Sequence, residues 1–192
     1  VGREIGGAEL MQPIETERLI IRTLRLDDWP DVFAYAADPE VMKFIPEKPY
    51  TPEATMAFTA DNPVVDGLPS KFAVTLKPDG RLIGTLTLHL INSRFRCREI
   101  GWVFHPAYYG QGYAGEAALA LLRHAFAQGN IRRVVATCDP RNTASWRIME
   151  GLGFRREGHF LQDVRLADGG WHDEYFYAIL DEEWAARTGG GQ

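Results

Sequence analysis

Three glycines in the pattern Gly110-x-Gly112-x-x-Gly115 stand between an apolar run, Glu99 to Phe104, and an alanine- and leucine-rich run. A glycine loop that enters a helix presents unpaired backbone N–H groups at the positive end of the helix dipole, which suits a phosphate-bearing ligand. The pattern literally satisfies the dinucleotide fingerprint. That fingerprint, however, needs its glycines directly after the strand and an acidic residue about 20 positions later for the ribose. Here residues 105–109 intervene, and no Asp or Glu occurs between Glu116 and Asp139. A Walker phosphate loop is excluded because no Gly-Lys-Ser/Thr follows. A nicotinamide-dependent oxidoreductase is therefore a minor reading, and a glycine turn feeding a packed helix is the plain structural alternative. The two cysteines, Cys97 and Cys138, lie in apolar strand-like runs and read as buried thiols, with no disulfide framework and no metal site.

The elements that must position this loop follow from periodicity. Residues 1–13 form a flexible tail, 14–185 one domain and 186–192 a second tail. Glu17 to Leu26 suits a first strand, and Asp27-Asp28-Trp29-Pro30 starts a helix that Asp38-Pro39 breaks. The stretch beyond is rich in proline (Pro39, Pro46, Pro49, Pro52, Pro63), with a helix over Thr51–Thr59, and is expected to wall a pocket. Strands follow over Phe72–Leu76, Arg81–Ile91 and up to Phe104. A helix from Gly112 to Gln128 places Ala114, Ala117, Ala118, Leu121, Leu122, Ala125 and Phe126 on one face, with Gly129-Asn130 as its cap. Then come a strand Val134–Cys138, a helix Asn142–Glu150 closed by Gly151, and two long strands joined by Ala167-Asp168-Gly169-Gly170. Hairpin strands followed by alternating β and α units predict an α/β (α+β) fold, a mixed sheet with helices on its faces.

The charge balance, 21 basic against 26 acidic residues, argues against a nucleic-acid partner and favours cationic ligands such as amines. No signal peptide and no apolar run of membrane-spanning length are visible, so the cytoplasm is the expected location and no membrane partner is expected.

The span from Glu99 to Phe154 resembles the acyl-CoA-binding core of the GNAT N-acetyltransferases. The nearest branch is the Rim type, which includes ribosomal-protein N-terminal acetyltransferases and relatives acting on small amines. The resemblance extends to Thr16-Glu17-Arg18-Leu19, Asp38-Pro39-Glu40-Val41-Met42, Ile83-Gly84-Thr85-Leu86 and Tyr175-x-Tyr177-Ala178-Ile179-Leu180. It implies a GNAT-like central sheet of about seven strands flanked by about four helices, acetyl-CoA as co-substrate, and homodimers as a frequent state among relatives. It also implies that Tyr109, Gly110, Gln111, Gly112, Tyr113 and Ala114 wrap the pyrophosphate with backbone N–H groups. Trp102, Val103 and Phe104 would offer backbone groups to the pantetheine arm, which Asn142 and Ser145 would also contact. Tyr109 departs from the Gln or Arg usual in the superfamily, which removes one side-chain contact. Arginines 94, 96, 98, 132, 133, 155 and 156 are candidates for the nucleotide phosphates, though most read as solvated strand ends.

Acetyl transfer from a thioester needs a neutral amine. Stripping a lysine-like ammonium at pH 7 costs about 4.6 kcal/mol and an α-amine about 1.1 kcal/mol. By resemblance Glu99 is the base, with Asp163, His105, Asp173 and His172 as weaker candidates. Many GNAT members place a tyrosine acid where this chain has Met149, which cannot donate a proton. Ser145 is the nearest hydroxyl for the leaving sulfur. The acceptor is expected to be a primary amine, on a peptide N-terminus or a small molecule, against Trp29, Phe33, Tyr35, Phe44, Tyr50 and Phe58. Met149 also motivates an alternative, a non-catalytic acyl-CoA-binding module.

Overall fold

The computed structural model describes residues 11–128 and 130–189. In chain order the strands and helices are β1 (Ile14–Glu15), β2 (Leu19–Thr23), α1 (Trp29–Ala36), α2 (Pro39–Met42), α3 (Pro52–Ala60), β3 (Val64–Val65) and β4 (Leu68–Pro69). They continue with β5 (Lys71–Leu76), β6 (Leu82–Asn92), β7 (Cys97–Phe104), α4 (Tyr113–Ala127) and β8 (Arg133–Cys138). The last four are α5 (Thr143–Leu152), β9 (Arg155–Arg165), β10 (Trp171–Leu180) and α6 (Asp181–Gly189). Eight strands form one sheet in the order β1-β2-β5-β6-β7-β8-β10-β9, and β3 and β4 make a separate small hairpin. The mixed α/β class is as expected, with one more strand in the main sheet and two more helices than expected among the described residues.

Every pairing in the main sheet is antiparallel except β7 with β8. A parallel pair needs a long crossover, and α4 supplies it. Pleat alternation divides the strands between two cores. Leu86, Leu88, Ile100, Phe104, Ala136, Tyr177 and Ile179 share one face with Ala117, Ala118, Leu121, Leu122 and Ala125 of α4 and with Met149 and Leu152 of α5. The five α4 residues are fully buried, and burying each leucine contributes about 2 kcal/mol. The opposite face is covered by Val32, Tyr35 and Ala36 of α1 and Met42 of α2, which pack on Ala73 and Leu82.

Several helix ends differ from the sequence expectation. Asp38 does end α1, but it also caps α2, its side chain accepting from the Glu40 N–H at 2.9 Å. Helix α5 runs through Gly151 and stops at Gly153, whose φ of +92° is the left-handed geometry of a helix C-cap. The expected cap Gly129 lies outside the described residues; the last described position there is Gln128, in right-handed geometry. Residues 186–189, expected in a C-terminal tail, form the last turn of α6, while residues 1–10 and 190–192 lie outside the described residues.

Candidate active site

Strands β7 and β8 pair only over Cys97–Arg133, Arg98–Val134 and Glu99–Val135. Beyond Glu99 the two strands part, while β7 stays paired with β6 as far as Phe104. The β8-facing edge of β7 from Ile100 to Phe104 therefore keeps unpaired backbone groups. A cleft of about 1270 Å³ opens at this gap, larger than the few hundred Å³ that a small ligand needs. Trp102, Val103, Phe104, Asn142 and Ser145 all line it.

The glycine loop forms one end of the cleft. A 3-10 turn, Pro106–Tyr108, fills most of the gap between β7 and the glycines, and His105 caps it by accepting from the Ala107 N–H at 3.2 Å. His105 is thus a turn residue and does not line the cleft. Gly112 is the N-cap of α4 with φ +80°, a conformation that glycine adopts without cost. Among the described residues the N–H groups of Gly110, Gln111 and Gly112 have no backbone partner. The first-turn N–H groups of α4 are free by helix geometry. These unpaired donors lie at the helix N-terminus, an arrangement that suits an anion. Tyr109, Gly110, Gly112, Tyr113 and Ala114 line the cleft. Gln111 does not: its carbonyl accepts from Arg18 Nη1 at 3.0 Å and its side chain donates to the Ala107 carbonyl at 3.2 Å.

At the other wall, the Asn142 side chain accepts from the Ser145 N–H at 3.2 Å and so caps α5. That bond occupies the amide oxygen and leaves the amide N–H groups for a ligand. Ser145 is 9% exposed on the cleft wall, and Met149 one turn later is buried in the core. Cys138 also lines the cleft, but burial, with Asp139 and Glu174 adding to it, pushes its thiol up to about 12. A thiol so protonated is a poor nucleophile at neutral pH.

Glu99 projects from the sheet face opposite α4, cross-strand from His89 and near Thr137 of β8. Burial raises its carboxyl above the usual glutamate value, and the Thr137 hydroxyl partly offsets the rise. Glu174 of β10 lines the same cleft and is raised for the same main reason, with the Thr137 hydroxyl again opposing and the charges of Asp163 and Glu99 adding to the rise. Glu174 and Thr137 were not among the expected site residues. Both are visible only once β8 and β10 are registered, with Phe176 opposite Thr137.

The remaining candidates separate clearly. Asp173 lines the cleft but is engaged with His159 Nε2 at 2.9 Å and the Gln162 N–H at 3.0 Å. His172 sits at the rim between Arg141 at 2.9 Å and Asp168 at 2.9 Å, and Asp163 lies off the cleft. Tyr35, Phe44, Tyr50 and Phe58 line the cleft, and the Tyr35 hydroxyl donates to Thr85 Oγ1 at 3.1 Å. Trp29 and Phe33 pack on each other at 6.5 Å outside it. None of the seven arginines considered for the nucleotide lines the cleft. Arg98 is buried and donates to the Leu88 and Val65 carbonyls, while Arg132, Arg133 and Arg155 hold ion pairs with Asp181, Glu157 and Glu183. The described residues include no cluster of metal-ligating side chains, and no described helix is long and apolar enough to cross a membrane.

The same architecture recurs among known proteins. The chain is 43% identical to the uncharacterized N-acetyltransferase YnaD of Bacillus subtilis, over 89% of this chain and 98% of that protein. It is 28% identical to the [ribosomal protein uS5]-alanine N-acetyltransferase of Escherichia coli over 50% of this chain and 49% of that enzyme. Among solved structures, a GNAT-family acetyltransferase from Bacillus anthracis superposes with a TM-score of 0.79 at 40% identity, covering 89% of this chain and 99% of that one. The family described as acetyltransferase (GNAT) domain matches residues 18–155. With the parted strands and the glycine loop inside that span, the chain belongs to the GNAT family of acetyl-CoA-dependent N-acetyltransferases.

Proposed function

We propose that this enzyme transfers acetyl directly to a primary amine, on a peptide N-terminus or a small molecule, in the gap between β7 and β8. One observation carries this reading: Glu99, the open edge of β7 and the glycine loop line the same cleft where β7 and β8 part. Gly110, Gly112, Tyr113 and Ala114 would hold the pyrophosphate through backbone N–H groups, and Asn142 and the open edge of β7 the pantetheine arm. The bound donor supplies the thioester. Glu99 would take the proton of the acceptor ammonium, directly or through water, and a carboxyl raised by burial is better matched to that task at neutral pH. The Ser145 hydroxyl would hydrogen-bond the leaving sulfur, since Met149 has no proton to give. The raised thiol of Cys138 argues against an acyl-cysteine route and for direct transfer.

A peptide N-terminus is one acceptor class consistent with the uS5-alanine N-acetyltransferase relative. Its α-amine costs little to deprotonate, so one carboxylate suffices. The test is release of coenzyme A from acetyl-CoA across a panel of N-terminal peptides, polyamines and other primary amines at several pH values. Saturable turnover with at least one amine is expected. Tight binding of acetyl-CoA with no turnover across the panel would overturn the proposal in favour of a non-catalytic binding module.

A further inference from the structure

The Thr16-Glu17-Arg18-Leu19 stretch has no place in the chemistry above, yet the structure brings it to the back of the glycine loop. Arg18 sits in the turn between β1 and β2. Its Nη1 donates to the Gln111 carbonyl at 3.0 Å, and its Nε donates to Glu116 Oε2 at 2.7 Å. Nη2 lies 2.6 Å from the same carboxylate, and the guanidinium stands 4.3 Å over the Tyr113 ring. Glu116 is held from its other side as well: Oε1 accepts from Thr16 Oγ1 at 2.5 Å and from the Arg18 N–H at 3.2 Å. Gln111, Tyr113 and Glu116 of the loop and helix start are thus tied to one side chain, and the planar fork of arginine is what allows it.

From this geometry we infer that Arg18 is a positioning residue for the donor's pyrophosphate. A trans peptide points its N–H opposite to its C=O. Drawing the Gln111 carbonyl toward Arg18 therefore turns the Gly112 N–H away from Arg18, toward the cleft that Gly112 lines. The same guanidinium neutralises Glu116, an anion in the first turn of the helix whose N-terminus would receive another anion. Burial disfavours the ionised Glu116, but the hydrogen bonds from Thr16 and Arg18 together hold its carboxyl below the ordinary value. The negative charge is therefore present and needs its partner. Arg18 itself does not line the cleft, so it acts through the loop.

The inference rests on the acyl-CoA reading of the loop, and the experiment separates the two. Coenzyme A binding is measured by calorimetry on the full chain and on Arg18→Ala and Arg18→Lys. Acetyl-CoA is then compared kinetically with S-acetylpantetheine, which lacks the pyrophosphate. Arg18→Ala should weaken coenzyme A binding and raise KM for acetyl-CoA about tenfold, the effect of one charge-assisted hydrogen bond, with kcat little changed. S-acetylpantetheine should lose nothing, and Arg18→Lys should recover part of the affinity by restoring charge without the fork. Wild-type protein that fails to bind coenzyme A overturns the loop reading and this inference together. Wild-type binding with an unchanged Arg18→Ala overturns the inference alone. Equal losses with both donors, or a folding defect shared by both variants, also overturn it, because they assign Arg18 to stability and not to the pyrophosphate.

Discussion

At the scale of single residues, the roles of Glu99 and Cys138 turn on where burial puts their protons. Glu99→Gln is expected to lower kcat by about 10²–10⁴-fold, the usual contribution of a general base, while leaving coenzyme A binding intact. The acid limb of kcat/KM in the wild type should lie above the ordinary glutamate value of about 4.3, because desolvation favours the neutral carboxyl. The same shift has a stability consequence of definite sign. A carboxyl whose folded-state pKa is raised stabilises the fold relatively below its unfolded value, and that contribution is lost as pH rises through the folded value. At pH 7 the wild type therefore carries a penalty that glutamine does not. Glu99→Gln should melt higher than wild type at pH 7, with the gain vanishing by about pH 3, well below the unfolded value, where both states are protonated. Cys138→Ala, by contrast, should leave kcat unchanged, since a thiol pushed up to about 12 offers no thiolate to lose. Glu99 was singled out in the sequence through family resemblance, and the structure puts it in the cleft. Glu174 was not, because nothing local distinguishes it from its neighbour Asp173; only the pairing of β10 with β8 puts it in the cleft.

At the scale of elements, two glycines with left-handed backbone set the ends of the helices that frame the cleft. Gly112→Asp should abolish coenzyme A binding. A non-glycine residue in that conformation costs roughly 1–2 kcal/mol, and the new carboxylate would stand where an anion must bind. Gly153→Ala should cost stability instead, with cofactor affinity unaffected. A Cβ there would meet the Arg187 side chain, which is flexible enough to swing away, so the left-handed backbone sets the cost and a loss of about 1 kcal/mol by chemical denaturation is expected. The sequence pointed to Gly151 as the end of α5, since it is the first glycine after the periodic run. The structure passes over it because Leu152 still packs into the core, which carries the helix two residues further to the left-handed Gly153. The parting of β7 and β8 was legible only through family resemblance. Both strands are apolar beyond their first charged residues, and no residue in either announces where pairing stops.

At the scale of the whole molecule, the sheet divides two packed layers, and on the proposed reading each would serve a different half of the reaction. The α4–α5 side would carry the donor's phosphates at the glycine loop, and Tyr35, Tyr50 and Phe58 on the α1–α3 side would wall the acceptor end. Sequence periodicity recovered most of this layering, because α4 and the central strands bury continuous apolar faces. It missed β1, since two residues pairing Ile14 with Ile21 leave no periodic trace. A ligand that spans both halves binds only the folded state, where the loop and the parted strands coexist. Acetyl-CoA at 100 times its Kd should therefore add about 2.7 kcal/mol, or roughly 5–11 °C in Tm for a chain of this size. NAD and ATP carry a pyrophosphate too, so the loop alone would accept them. Neither has an arm to lie along the open edge of β7, and neither should shift Tm at the same concentration. Equal shifts from all three ligands would mean that the loop binds as an isolated anion cradle, and that the gap between β7 and β8 contributes nothing to donor recognition.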